Sequence, residues 1–467
     1  KVFTSNGTTL TAVNEDYIKA DPTNRGYYLG LLGYDITAAQ VQGLTSNFDL
    51  SQLPQTTSEL RQIGAVMHST PVLLTQAGKV SYVAAQAAQA ATATTAAVAA
   101  RDAYMDTTNR DDYILFGTTQ GVLHVVKAGK SDEITTVGNT AGQEVFAFVP
   151  QEMLATQGKA FLDPPQTVDA TNTSSNGMNH LYYGVDGAWT AHTEYVYNTA
   201  DETFKVYDSA TKFGKQWVYG GLRMGGRSYY ALDLTNMDSP TVKFRINPVN
   251  SSVDGFATPS STAETARYAN LAKMGQSWSK PTIANVQWKG KRRLVMFVGG
   301  GYDPGYETFN YNQTNGMGAG VYMFDANTGE FLWSTYDAVK TPATAGTTLI
   351  GDGDYLKYSV VSQIKGVDRD GDGDVDHLYF GDLGGQVFRV DLNSTHGATD
   401  TVANYASQIT RIYNGHVDGG VSPRFYEMPA FTVYQGTGGL FAVISIGSGN
   451  RSTPLLGKQV NGAYIVN

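Results

Sequence analysis

Apolar and polar residues alternate with a period of two along most of this chain, in short runs that end at glycine. One unit recurs: a β-rich run closing on glycine, a glycine-containing turn, and a second alternating run often ending in Asp. Its copies are YILFGTTQGVLHVVK (113–127), WVYGGLRMGGRSYYALDL (217–234), LVMFVGGGYDP with GAGVYMFDANTG (294–329), HLYFGDLGGQVFRVDL (377–392) and FAVISIGSGN with GAYIV (441–466). A further strand introduced by proline precedes several copies: HSTPVLL (68–74), KPTIANV (280–286) and EMPAFTVY (427–434). Proline is tolerated at a strand start, where its missing N–H falls at the edge of the ladder. Three or four strands per repeat predict the blades of a β-propeller.

The recurring glycines at 117, 220, 299, 381 and 447 stand farther apart than the roughly 40–50 residues of a minimal blade. The gaps must hold insertions or degenerate blades. EVFAFVPQEML (144–154) with HLYYGVDGAWTAHTEYVYN (180–198) is expected to be one such blade. Residues 84–100, AAQAAQAATATTAAVAA, are Ala-rich without an apolar stripe, which predicts a short surface helix or a mobile loop. STAETARYANLAKM (261–274) predicts a short helix capped by Ser/Thr. Residues 1–60 lack the repeat and are expected to form a non-propeller lead-in with a helical piece near 36–45. The propeller would then occupy 61–467.

Composition agrees with an all-β protein: aromatics make up 11% of the 467 residues, with 29 Tyr and 52 Gly. The formal charge of −9 argues against a nucleic-acid groove, because neutralising phosphates needs clustered Lys and Arg. An acidic surface suits cations or protein partners. The chain has no cysteine, which removes disulfides, thiolate metal sites and cysteine nucleophiles. No run of about 18 apolar residues predicts a membrane-spanning helix. Lys1 opens the chain without Met, so a longer precursor with any targeting signal upstream is expected.

One motif carries sharp chemistry. GVDRDGDGDVDHLYFG (366–381) sets carboxylates at Asp368, Asp370, Asp372 and Asp376, with Gly373 at the sixth position of a calcium loop. A hard cation needs converging oxygens and a sharp glycine turn, and this spacing supplies both. Asp374, at position seven, is expected to offer its backbone carbonyl. Five aspartates within nine residues repel one another without a cation, and Arg369 offsets only one charge. Position twelve is Tyr379 instead of a bidentate Glu, and strand patterns flank both sides. The expectation is therefore Ca²⁺ held in a clip on a β-hairpin, with no EF-hand helices. Nearby Asp352 and Asp354 read as an ordinary turn.

Other candidates are weaker. His68 beside Ser69 could suggest a base and nucleophile, but HSTP at a strand start reads as a capped turn. GMGAG (316–320) opens no helix and reads as a flexible turn. His377 is given no role. YMFDANTGEFLW (322–333) is similar to the D-x-x-T-G-x-x-x-W signature of quinoprotein propellers, yet only one copy is complete. Asp325, Thr328, Gly329 and Trp333 are expected to fasten blades through a turn and a Trp contact. No H-E-x-x-H, G-x-S-x-G or P-loop motif occurs, and no catalytic residue is assigned.

Taken in order, HSTPVLL, EVFAFVPQEML, MGQSWSKPTIANV (274–286), VDRDGDGDVDHLYFGDLGGQVFRVDL (367–392), MPAFTVY (428–434) and ISIGSGNRSTPL (444–455) resemble the C-terminal domain of the PilC/PilY family of type IV pilus tip proteins. The resemblance spans roughly 60–467. It implies a modified seven-bladed β-propeller with short helical insertions, placed at the pilus tip or outer cell surface. It further implies roles in pilus extension, twitching motility and adhesion, with calcium setting the balance of extension and retraction. Minor pilins or a pilus tip complex are the implied partners, with host-cell or abiotic surfaces beyond them. The implied ligands are Asp368, Asp370, Asp372, the carbonyl of Asp374, and Asp376. The D-x-S-x-S metal motif and the Arg-Gly-Asp motif of some members are absent. Two alternatives stand beside this reading: a quinoprotein (pyrroloquinoline quinone-dependent) dehydrogenase, and an integrin-like propeller, whose similar calcium repeats come in several copies where this chain has one.

Overall fold

The structure, a computed structural model, describes residues 1–41, 43–55, 63–79, 110–128, 141–162, 182–200, 203–338, 355–454 and 462–466. Among these residues five antiparallel meanders follow one another along the chain, where the resemblance implies seven blades. The first holds Val72–Lys79, Asp111–Gly117, Leu123–Lys127 and Glu144–Pro150. The second runs Trp189–Glu194, Lys215–Gly221, Tyr229–Asp233, Thr241–Asn247 and Ser252–Asp254. Thr282–Trp288, Lys291–Gly299, Val321–Asp325 and Phe331–Ser334 make the third. The fourth is Lys365–Val367, His377–Gly381, Gln386–Leu392 and Ala406–Asn414. Ala430–Gly436, Gly439–Ser448 and Gly462–Val466 form the fifth. All five predicted hairpins pair in antiparallel register.

Each seam between successive sheets has its own apolar cluster, because the central strands are near-continuous apolar runs buried on both faces. Leu115, Phe148, Trp189 and Val218 fill the first seam. Tyr219, Phe244, Val298 and Phe324 fill the second. Phe297, Met323, Trp333, Phe380 and Val390 fill the third, and Tyr379, Val387, Phe425, Ile444 and Ile446 the fourth.

The repeated glycines explain how the sheets nest. A β-carbon on Gly117, Gly299 or Gly381 would collide with Val185, Val360 or Phe425, each on the connector entering the next sheet. Gly447, in the last sheet, faces open space. The Ser-x-Pro entries add a matching hydrogen bond. Ser69 Oγ accepts from the Gly117 amide at 2.7 Å and Ser279 Oγ from the Gly299 amide at 2.9 Å, so the same serine ties the start of a first strand to the end of its neighbour.

Residues 1–60, expected as a lead-in, contact the first sheet: Val2–Asn6 pairs in parallel with Glu144–Pro150, and Thr9–Ala12 pairs with Val2–Asn6. The periodic run in 2–12 is too short to reveal its partner from sequence. The expected blade joining 144–154 to 180–198 is corrected, because its strands are split: Glu144–Pro150 is the fourth strand of the first meander, Trp189–Glu194 is the first strand of the second, and Val196–Asn198 returns to the far edge of the first sheet. The strand stops at Pro150, and Gln151–Gln157 continues as a helix. The lead-in does carry a short helix at Ala38–Val41. The capped helix is present at Thr262–Tyr268, with Ser261 Oγ accepting from the Glu264 amide at 3.2 Å. Residues 84–100, Asp352 and Asp354 lie outside the described residues.

Candidate metal loop and its surroundings

In an antiparallel meander the connections alternate between the two ends of the strands. The loop 368–376 joins the first strand of the fourth sheet to the second, with Val367 and His377 paired across its base. It connects two antiparallel strands, as the flanking strand patterns predict, and it lies at the end opposite the nesting glycines.

Gly371 and Gly373 adopt φ of +80° and +89°, left-handed conformations that let the chain fold back on itself. Asp368 then accepts from the amides of Gly371 and Gly373, at 2.6 and 2.8 Å. Asp376 Oδ2 accepts from the Arg369 amide at 2.8 Å. One carboxylate oxygen each from Asp368, Asp370 and Asp376 falls within 4.8 Å of the others. Asp372 stands outside that trio, its Oδ1 accepting from the Asp374 amide at 2.8 Å. The Asp374 carboxylate turns away from the loop and pairs with Arg292 Nε at 2.6 Å, while its carbonyl accepts no hydrogen bond among the described residues. Tyr379 is buried in the strand and packs on Phe431, so position twelve offers the loop no oxygen.

The donor set suits a hard cation: carboxylates and one open carbonyl, with no nitrogen or sulfur. Asp376 adds a sharper observation. It is 5% exposed, yet no Lys, Arg or His among the described residues pairs with it. A buried carboxylate without a counter-charge is costly in a protein interior, and a cation held with Asp368 and Asp370 would supply the charge.

The other candidates resolve into structure. His68 Nδ1 bonds Asp186 Oδ2 at 2.6 Å, and Ser69 Oγ is occupied by Gly117, so the two form no base and nucleophile pair. GMGAG is a turn with three glycines at positive φ, but a packed one, pressed by Gly318 onto Gly301. His377 Nδ1 bonds Asp391 Oδ1 at 2.7 Å. In the quinoprotein-like segment, Asp325 Oδ1 accepts from the amides of Asn327 and Thr328, both at 2.9 Å. Tyr219 Oη, from the second sheet, donates to Ala326 O at 2.8 Å. Trp333 lies in the next seam, edge-on to Tyr405 at 5.5 Å. The signature therefore fastens sheets, as its residues suggested.

One cluster escaped sequence analysis. Arg223, at φ +54°, stacks 3.8 Å over Trp278, whose other face stacks on Tyr302 at 4.0 Å. Its Nη1 reaches the fully buried Asp186 at 3.4 Å. These residues come from separate connectors, and no spacing in the sequence links them.

Stacked antiparallel sheets, each nested on the connector to the next, define an all-β protein of the β-propeller class with a carboxylate loop at one end. The family model described as the PilY1 beta-propeller domain matches residues 63–420, and the chain belongs to that family. A curated relative, "Type IV pilus biogenesis factor PilY1 homolog" of Xylella fastidiosa (strain Temecula1 / ATCC 700964), is 24% identical over 424 residues. That alignment covers 86% of this chain and 23% of the relative, so the chain spans under a quarter of that protein's length. Among solved structures, the Pseudomonas aeruginosa PilY1 C-terminal domain aligns over 80% of this chain and 59% of its own, with 18% identity and a TM-score of 0.42. The quinohemoprotein alcohol dehydrogenase ADHIIG of Pseudomonas putida HK5 aligns over 72% and 42%, with 13% identity and a TM-score of 0.30.

Proposed function

We propose that this chain is a calcium-binding module of a type IV pilus biogenesis protein, acting at the pilus tip on the outer surface of a Gram-negative cell. In this reading the five stacked sheets belong to a closed seven-bladed ring. Ca²⁺ binds Asp368, Asp370, Asp376 and the Asp374 carbonyl, with Asp372 reaching the ion directly or through water, and its occupancy biases pilus extension against retraction. Twitching motility and attachment to host or abiotic surfaces follow from that bias. Membership of the PilY1 beta-propeller family supports the pilus assignment. The single observation that carries the calcium assignment is buried Asp376, without an ion-pair partner among the described residues, beside two further carboxylates.

The module performs no chemistry of its own in this reading, since the quinoprotein-like segment is spent on fastening sheets. The test is a pull-down of the chain against minor pilins with calcium and with chelator. Calcium-dependent capture of a pilin is the expected result, and equal capture in both conditions would remove the regulatory role. If the purified chain retained pyrroloquinoline quinone through desalting and reduced a dye with alcohol, the non-enzymatic reading would fall.

A further inference from the structure

The loop has two unlike halves. Residues 368–372 hydrogen-bond within the loop and are exposed. Residues 373–375 are tied to the preceding sheet as well, beyond the bonds that the Gly373 and Asp374 amides make within the loop. Arg292 Nε donates to Asp374 Oδ1 at 2.6 Å and Arg292 Nη2 to Gly373 O at 2.9 Å. Gln287 Nε2 donates to Asp374 Oδ2 at 2.8 Å, and the Val375 amide to Asn285 O at 2.9 Å. Gln287 and Arg292 face each other across one hairpin, so both donors are fixed by the same register. Asp374 is 4% exposed and both its oxygens are taken.

We propose that Arg292 is a positioning residue for the metal loop, stapling its second half to the third sheet so that the Asp374 carbonyl faces the ion while the Asp374 carboxylate is held out. The proposal rests on the calcium reading above. Its physical core is a two-part hold: the guanidinium fork fixes the Asp374 carboxylate and the Gly373 carbonyl, and the Val375 amide bonded to Asn285 O orients the 374–375 peptide, whose Asp374 carbonyl points the opposite way. An ion bound to 374 and 376 restrains the same backbone that the staple restrains. Binding and the seam between the third and fourth sheets are then linked, each strengthening the other by the same factor.

A positive charge near a cation also repels it, and simple removal of Arg292 would mix that effect with loss of the fork. Arg292→Lys keeps the charge and cannot make both bonds at once. By calorimetry on the full chain, Arg292→Lys should bind Ca²⁺ about tenfold more weakly, the lower end of what losing an outer-shell partner costs. Gln287→Ala, which leaves charge unchanged, should weaken binding in the same direction. Arg293→Lys is the control, since Arg293 pairs with Asp325 and Glu330 and does not touch the loop. Amide exchange supplies a readout that a merely structural role would not move: calcium should slow exchange at Val375 in the wild type and much less in Arg292→Lys. Wild-type affinity and wild-type calcium protection in Arg292→Lys would overturn the staple while leaving the calcium site intact. A wild-type chain that binds no Ca²⁺ would overturn both readings together.

Discussion

Gly329 and Phe244 meet across the seam between the second and third sheets: a β-carbon on Gly329 would sit 2.5 Å from Phe244 Cγ. The turn that carries Gly329 at φ +79° therefore presses directly on the neighbouring sheet. Gly329→Ala should lower stability by roughly 2–4 kcal/mol, combining left-handed strain with overpacking. Gly316, at φ +67° with nothing within 4 Å, separates the two costs. Gly316→Ala should lose only about 1 kcal/mol, the conformational part. Denaturant midpoints of the two variants, compared at equal slope, check the difference.

Ser279 should matter more than its size suggests. It is 1% exposed, accepts from the Gly299 amide and donates to Ser362 O at 2.7 Å. Ser279→Ala leaves a buried amide and a buried carbonyl each short of this partner, which should cost about 1–3 kcal/mol. An unchanged unfolding midpoint would show that the serine lock contributes nothing.

Asp382 should make stability fall with rising pH. It is fully buried, and burial pushes its carboxyl up to about 7, although the amides of Gly384 and Gln386 and the Gln386 side chain favour the charged form. The folded protein keeps a proton that the unfolded chain, with an ordinary carboxyl near 3.9, has released. Its contribution to stability is thus fully present below about pH 4 and is lost as pH rises towards 7. Asp382→Asn removes the titrating group and should flatten that part of the stability profile, measured by chemical denaturation from pH 4 to 8.

The metal loop should bind Ca²⁺ with a dissociation constant on the order of 10⁻⁶–10⁻⁴ M, weaker than cytosolic buffers because Tyr379 replaces the bidentate ligand. Asp376→Ala should abolish calorimetric binding and leave the circular dichroism spectrum unchanged, since a loop can become mobile without unfolding the sheets it joins. Asp372→Ala should weaken binding less, because Asp372 stands outside the converging trio. If Asp376→Ala binds as tightly as wild type, the ion lies elsewhere.

Local chemistry is where the sequence spoke clearly. Period-two alternation located all five hairpins, Ser261 marked the helix that follows it, and the spacing of Asp368 to Asp376 fixed a hairpin clip with Gly373 at its turn. The glycines at 117, 299 and 381 were visible as a repeat, but their reason was not, because the atoms they make room for lie 44 to 68 residues later at Val185, Val360 and Phe425. The two roles of Asp374 followed the same divide. Loop position marks its carbonyl as a proposed ligand, whereas its carboxylate is claimed by Arg292, which belongs to another sheet. Arg223 and Trp278 likewise met only through folding. Hydrogen bonding and turn geometry act between near neighbours, so sequence alone determined the five repeated hairpins, their turns and the carboxylate loop. Which sheet each strand joined, and which residues faced each other across the seams, was decided by side-chain packing between distant segments, which only the tertiary structure specifies.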